Sequence, residues 1–322
     1  MTFHTCAPPA AAITKWLESY PSEVGNYGHL LLEQKSPPDK ALIDALIPYF
    51  ESAHLDAREH FHAEIGLDLH PDASAPGAHA TYPACLPLTA RRGLFGEVMA
   101  GLLTEHYSYV GKYKWTVPIF LFRYHEDVEH FLFNLSRDPN KARQVFGRFG
   151  SDFLGLCLDK KGDVVRFIAG EAKWRKQLHA SVVDELLLGK LIETKDKKKI
   201  RSGKGVWYEI NRDTPVPHGM RQLQRILQEK DPDGHAPAIL SIDKALIVAG
   251  GQPIPRTNLI LLAGNDVPSR KKATPLIPWK AAPKEYKAPF DLQVVELIVS
   301  DGEALIDALY DNLWKGVDHA AA

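Results

Sequence analysis

A chain of 322 residues is long enough for one large domain or two modest ones, and either buries a substantial core. Its apolar and charged fractions, 45% and 25%, are those of ordinary folded proteins and exclude a disordered or fibrous chain. A formal net charge of -1 excludes a global attraction to nucleic acid or anionic membrane, so any such partner has to be argued from a local patch.

The cysteines Cys6, Cys85 and Cys157 are odd in number and far apart, which argues against a disulfide framework and against a CxxC zinc site. No apolar run approaches the ~20 residues that span a bilayer, and the first residues lack a basic stretch followed by an apolar core. The expectation is a soluble, unexported protein of the reducing cytoplasm.

From Pro38 to Ile65 the apolar residues Leu42, Leu46, Tyr49, Phe50, Leu55 and Phe61 recur roughly at helical spacing, with Pro48 expected to kink or break the helix. The N-terminal quarter therefore reads helical. Residues 70–90 are rich in Pro, Ala and Gly and read as a linker, which puts a boundary between a helical region with its linker, 1–89, and the remainder, 90–322. GLFGEVMAGLLTEHY, 93–107, places Leu94, Val98 and Leu102 on one helical stripe and Met99 and Leu103 beside it; this helix carries Glu97. WTVPIFLFRY, 115–124, is β-branched and aromatic and predicts a strand, with a short helix after it in EDVEHFLFNL.

FLGLCLD and DVVRFIAGEAK are apolar runs separated by the turn-forming Asp159-Lys160-Lys161-Gly162, and together predict a hairpin. LHASVVDELLLGK then has helical spacing and ends at Gly189, a natural C-cap. The order helix, strand, helix, hairpin, helix describes an α/β core. Beyond it MRQLQRILQEK predicts a helix, AILSIDKALIVAG and TNLILLAG strands or a strand and a helix, and 265–289 a Pro- and Lys-rich loop. LQVVELIVS predicts a strand and SDGEALIDALYDNLWK a helix with Ser300 and Glu303 placed for a capping box, a C-terminal α/β extension whose place, in the same sheet or in a second lobe, the sequence leaves open.

The chemistry sits on the hairpin. Asp152 starts its first strand, and Glu171 and Lys173 end the second as Gly-Glu-Ala-Lys. A two-residue offset puts Glu171 and Lys173 on one face of the strand, and the hairpin returns that end beside Asp152. Phosphodiester hydrolysis needs this set: carboxylates to hold Mg²⁺ (or Mn²⁺), here Asp152 and Glu171, and a cation near the attacking water or the scissile phosphate, here Lys173. Gly170 would let substrate approach the backbone, and Glu97 is a further carboxylate for the same site. The competing reading makes Asp152 a turn residue and Glu171 and Lys173 an ordinary ion pair on a solvated face. Against it, VVRFIAGEAKW is strongly apolar until this charged pair. As a bare pattern, an Asp followed some twenty residues later by ExK is weak, and the predicted hairpin, helices and upstream glutamate give it weight.

GEVMAGLLTEHY, FGSDFLGLCLD and GEAKWRKQL together resemble the nuclease subunit HamA of the Hachiman anti-phage systems and the related AbpA-like proteins of the PD-(D/E)XK superfamily, most clearly over about residues 90–190. The resemblance implies a restriction-endonuclease-like mixed sheet flanked by helices, with Asp152, Glu171 and Lys173 as the signature residues and Glu97 as the helical acidic residue. It also implies DNA as substrate and a helicase partner, encoded nearby, that restrains or licenses cleavage during phage infection. The long C-terminal region departs from the family.

Downstream, Lys195, Lys197, Lys198, Lys199, Arg201 and Lys204 form a basic run next to Trp207 and Tyr208. It reads either as a DNA-holding loop, with cations for phosphates and aromatics for unpaired bases, or as a solvated surface turn. Arg175 and Lys176 are open in the same way, and Lys271 and Lys272 form a weaker cluster. His125, Glu126, Glu129 and His130 miss the HExxH spacing of a zinc protease, because the histidines are five apart. His54, His60 and His62 do not fall on one helical face. Gly250-Gly251 lacks the Gly-Lys-Ser/Thr of a phosphate loop, and Cys157, inside a strand, is expected in the core.

Overall fold

The computed structural model describes residues 4–65, 82–120, 122, 151–212, 218–247 and 253–315. It is an α/β protein built on a six-stranded mixed sheet, with eight helices among the described residues. Helix α1 (Ala10–Trp16) leads into the hairpin β1 (Leu17–Val24) and β2 (Tyr27–Gln34), followed by α2 (Lys40–Ile65) and α3 (Leu88–His106). A second hairpin, β3 (Phe153–Leu158) and β4 (Val164–Arg175), precedes α4 (Ala180–Leu188) and the small hairpin β5 (Leu191–Glu193) and β6 (Lys199–Arg201). Then come α5 (Val206–Arg212), α6 (His218–Lys230), α7 (Ala236–Ile247), β7 (Arg256–Asn265), β8 (Asp291–Val299) and α8 (Gly302–Tyr310).

The sheet order is β1-β2-β8-β7-β4-β3. β2, β8, β7 and β4 run parallel, and β1 and β3 close the two edges antiparallel. β7 and β8 are largely apolar and nearly every residue of each is buried, since helices cover one face and helices with the 276–286 loop cover the other. One face packs Ile168, Ala172, Trp174, Leu259 and Leu261 against α1, α2, α3 and α8. The other carries two separate clusters. Tyr27, Ile260, Leu262 and Val294 lie under α4 and α5, and Leu154, Leu156, Phe167 and Ala169 lie under α6 and α7.

The helical reading of the N-terminal region holds for α1 and α2 and is corrected between them, where residues 17–34 form two strands of the sheet. Their turn is Gly25-Asn26, with Gly25 at φ 61, a two-residue connection suited to the twist of a hairpin. Pro48 does not break α2, which continues through it. The strand expected over 115–124 is also corrected: the described part, 115–120, pairs only at Thr116, which bonds Leu156 from both sides of the peptide. Residues 123–150, with the helix expected in EDVEHFLFNL, lie outside the described residues, as do 66–81 of the linker and Gly250-Gly251. AILSIDKALI is a helix throughout, while TNLILLAG and LQVVELIVS are the strands β7 and β8. The capping box at α8 does not form. Asn265 Oδ1 accepts the Gly302 N–H at 2.7 Å instead, Ser300 pairs with Gln34, and Glu303 accepts from Trp174 and Arg92.

Candidate active site

The β3–β4 hairpin turns as its sequence demands. Asp159 Oδ1 accepts the N–H groups of Lys161 and Asp163, and Gly162 takes φ 86. Register then brings the chemistry together: Phe153 faces Gly170, and one residue before the strand the Asp152 N–H also donates to the Gly170 carbonyl at 2.9 Å, which holds Asp152 beside the end of β4 that carries Glu171 and Lys173.

Lys173 Nζ donates to Asp152 Oδ2 at 2.8 Å and to Glu171 Oε2 at 2.7 Å. The Ala172 N–H adds a bond to Asp152 Oδ2 at 3.2 Å. The three side chains form one closed group, with Glu171 buried and Lys173 about one-third exposed. Burial and then the neighbouring Asp152 carboxylate push the Glu171 carboxyl well above the usual carboxylate range, and the Lys173 ammonium offsets only part of this. The two carboxyls are close enough to share a hydrogen bond through a proton on Glu171. Burial disfavours the charged form of Lys173, yet the carboxylates of Asp152 and Glu171 outweigh it and its pKa is raised.

Gly170 has a structural reason. A Cβ built on it would lie 1.8 Å from the Leu259 carbonyl oxygen of β7, so close strand packing, rather than an approaching substrate, occupies that position.

Glu97 is not brought to this group. α3 packs on the opposite face, where the Cβ position of Gly96 lies 3.7 Å from Ala172, and strand alternation turns Glu171 and Lys173 away from it. Burial above all, and then smaller electrostatic contributions that include the buried Glu97, hold the phenols of Tyr82 and Tyr310 well above the usual tyrosine range. Those hydroxyls bond the two nitrogens of the buried His54, at 2.7 and 3.0 Å.

A divalent ion fits the Asp152–Glu171 pair in charge and donor type. Both carboxyl groups already converge on one cationic nitrogen. Among the described residues no group of three or more His, Cys, Asp or Glu forms a ligand set. An ion held here takes the rest of its shell from water or phosphate oxygens, the usual habit of Mg²⁺.

The basic run forms the β5–β6 hairpin. Lys195, Lys197, Lys198, Lys199 and Lys204 are exposed, while Arg201 is tied to the base through the Gly189 carbonyl and Asp184. Trp207 is corrected from a base-stacking candidate to a core residue, buried against Trp279 and Tyr286, whereas Tyr208 is exposed. Arg175 ends the face of β4 that carries Lys173 and is exposed, as is Lys176, and Lys272 pairs with Glu18 at 2.8 Å on β1. Cys157 is buried in the core, as expected. His125, Glu126, Glu129 and His130, and the side chains of His60 and His62, lie outside the described residues. No helix among the described residues is long and apolar enough to cross a membrane. No protein-family model matches the chain, and no curated protein matches it significantly.

Proposed function

We propose that the chain is a metal-dependent nuclease of the PD-(D/E)XK type, hydrolysing DNA phosphodiester bonds at Asp152, Glu171 and Lys173. The observation that carries this reading is the convergence of two carboxyls and one ammonium within hydrogen-bond distance on one strand face. Asp152 and Glu171 would hold Mg²⁺ or Mn²⁺, which when bound polarises a phosphate oxygen and lowers the pKa of a water. Lys173 supplies positive charge where negative charge builds on the phosphate. The backbone N–H of Ala172 orients Asp152, and the buried position of Glu171 keeps water from competing for its oxygens. The resemblance to HamA and AbpA-like subunits extends the proposal to anti-phage defence in the cytoplasm under a helicase partner.

A second reading, a DNA- or partner-binding subunit that keeps a nuclease-like fold, is favoured by one feature: Lys173 already satisfies both carboxylates. Mn²⁺ titration by calorimetry separates the two, and it works even on a nuclease that its partner holds silent. Wild type is expected to bind one ion and Glu171→Ala to bind none. With plasmid, Mg²⁺ and the neighbouring helicase, Glu171→Ala and Lys173→Ala are each expected to cleave about 10²-fold or more slowly. Equal Mn²⁺ binding by wild type and Glu171→Ala rejects the catalytic reading.

A further inference from the structure

We infer that the β5–β6 hairpin is a ribbon that engages duplex DNA, its apolar outer face against the groove and its lysine tip against the phosphates; this rests on the nuclease reading and names its substrate as a duplex. The observation is a face that water does not explain. Register pairs Ile192 with Ile200 across the two strands, and both side chains stand 46% and 48% exposed. On the other face Leu191, 56% exposed, sits opposite Arg201, which is anchored through Gly189 and Asp184, so both faces of the ribbon show apolar surface and the isoleucine pair lies on the face away from that anchor. A two-stranded hairpin with an uncovered apolar pair is marginal alone in water, and a compact exposed apolar patch marks a contact surface.

The hairpin is nevertheless built to hold its shape. Its base is pinned by Ser202 N–H to Lys190 O and Gly203 N–H to Leu188 O, and Gly205 packs onto the Leu187 carbonyl with no room for a side chain. Its tip is closed by Thr194 N–H to Lys198 O and Lys197 N–H to Thr194 O, with Lys197 at φ 58. Lys197 and Lys198 are thereby placed at the closed tip of the hairpin, both exposed.

Charge chooses the occupant. Residues 191–204 hold six basic side chains against Glu193 and Asp196, in a chain whose net charge is -1, so this segment concentrates positive charge that the whole molecule lacks. Its position agrees: the hairpin springs from between α4 and α5, which cover the sheet face bearing Asp152, Glu171 and Lys173. A two-stranded ribbon fits a major groove about 12 Å wide, where apolar side chains meet thymine methyls and flanking lysines meet phosphates.

The test is fluorescence anisotropy with a labelled blunt duplex of about two helical turns, in EDTA so that binding is independent of the metal site, over a salt series. Lys197→Glu/Lys198→Glu is expected to bind about tenfold or more weakly and to flatten the log–log salt slope by about two. Ile192→Ser/Ile200→Ser is expected to bind several-fold more weakly with the slope unchanged. Thermal unfolding verifies that both variants fold, and Lys197→Ala/Lys198→Ala serves if the first does not. Wild-type affinity and slope in both variants, or no duplex binding by wild type, overturns the inference. So does a result in which the isoleucine variant loses binding to phosphatidylglycerol vesicles and keeps its duplex affinity. Mn²⁺ titration of the same preparations tells failure of the hairpin proposal from failure of the nuclease reading.

Discussion

Gly170 lies between the candidate active site and the packing of the sheet, and the two readings of it predict different measurements. If it exists for substrate approach, an added methyl slows cleavage and leaves the fold alone. With Leu259 O only 1.8 Å from the position a Cβ would take, the methyl must instead force β4 from β7 in the middle of the sheet. Gly170→Ala is therefore expected to destabilise by at least the ~1–3 kcal/mol typical of overpacking. Denaturant unfolding measures this, and a wild-type midpoint would return the glycine to a role in substrate access. Asp152, Glu171 and Lys173 were legible from sequence because a hairpin is local: its turn and period alone set which residues face each other. Glu97 and Trp207 were not. Each sits on a helix whose sequence tells how much is buried, while the sheet face it packs on depends on contacts distant in the chain.

Elements repeat the lesson at larger spacing. β7, β8 and α4 announce themselves by composition and by Gly189 at φ 87. β1 hides: as an edge strand it is mostly exposed, polar and interrupted by Pro21, so it lacks the alternation that marks a half-buried strand, and only the Gly25-Asn26 turn signals it. The start of α8 misleads in the opposite way, since a correct motif is present but its residues have other partners. Asn265, at the end of β7, caps the helix from a neighbouring strand, a contact no local pattern contains. Asn265→Ala is expected to cost about 1 kcal/mol of unfolding free energy, the usual worth of an N-cap. Ser300→Ala, which loses only an exposed bond to Gln34, is expected to stay within about 0.5 kcal/mol of wild type. The reverse ranking in chemical denaturation would restore the capping box.

Across the whole molecule the two faces of the sheet hold buried titratable groups that act on stability with opposite signs. On one face His54, from α2, joins Tyr82, ahead of α3, to Tyr310 of α8, so its ring ties together three segments far apart in sequence. Burial lowers its pKa from 6.5 to about 3. Between those values the unfolded chain binds a proton that the folded chain refuses, so this contribution falls by about 1.4 kcal/mol per pH unit as pH drops from about 6.5 toward 3. On the other face Glu171 is raised well above its ordinary 4.5, chiefly by burial and then by Asp152, so the folded state keeps a proton the unfolded chain gives up. Its contribution is present below about 4.5 and is lost as pH rises through the raised value. Above about pH 4.5, for as long as the folded state keeps the Glu171 proton while unfolded His54 takes one up, the two slopes oppose. Glu171→Gln removes one term and leaves the other, so unfolding free energies measured by denaturant across that window are expected to fall more steeply with acid than in wild type. His54→Gln should do the opposite and make the protein gain stability toward the acid side relative to wild type. Parallel pH profiles for both variants would mean that neither buried group holds the protonation state its surroundings dictate.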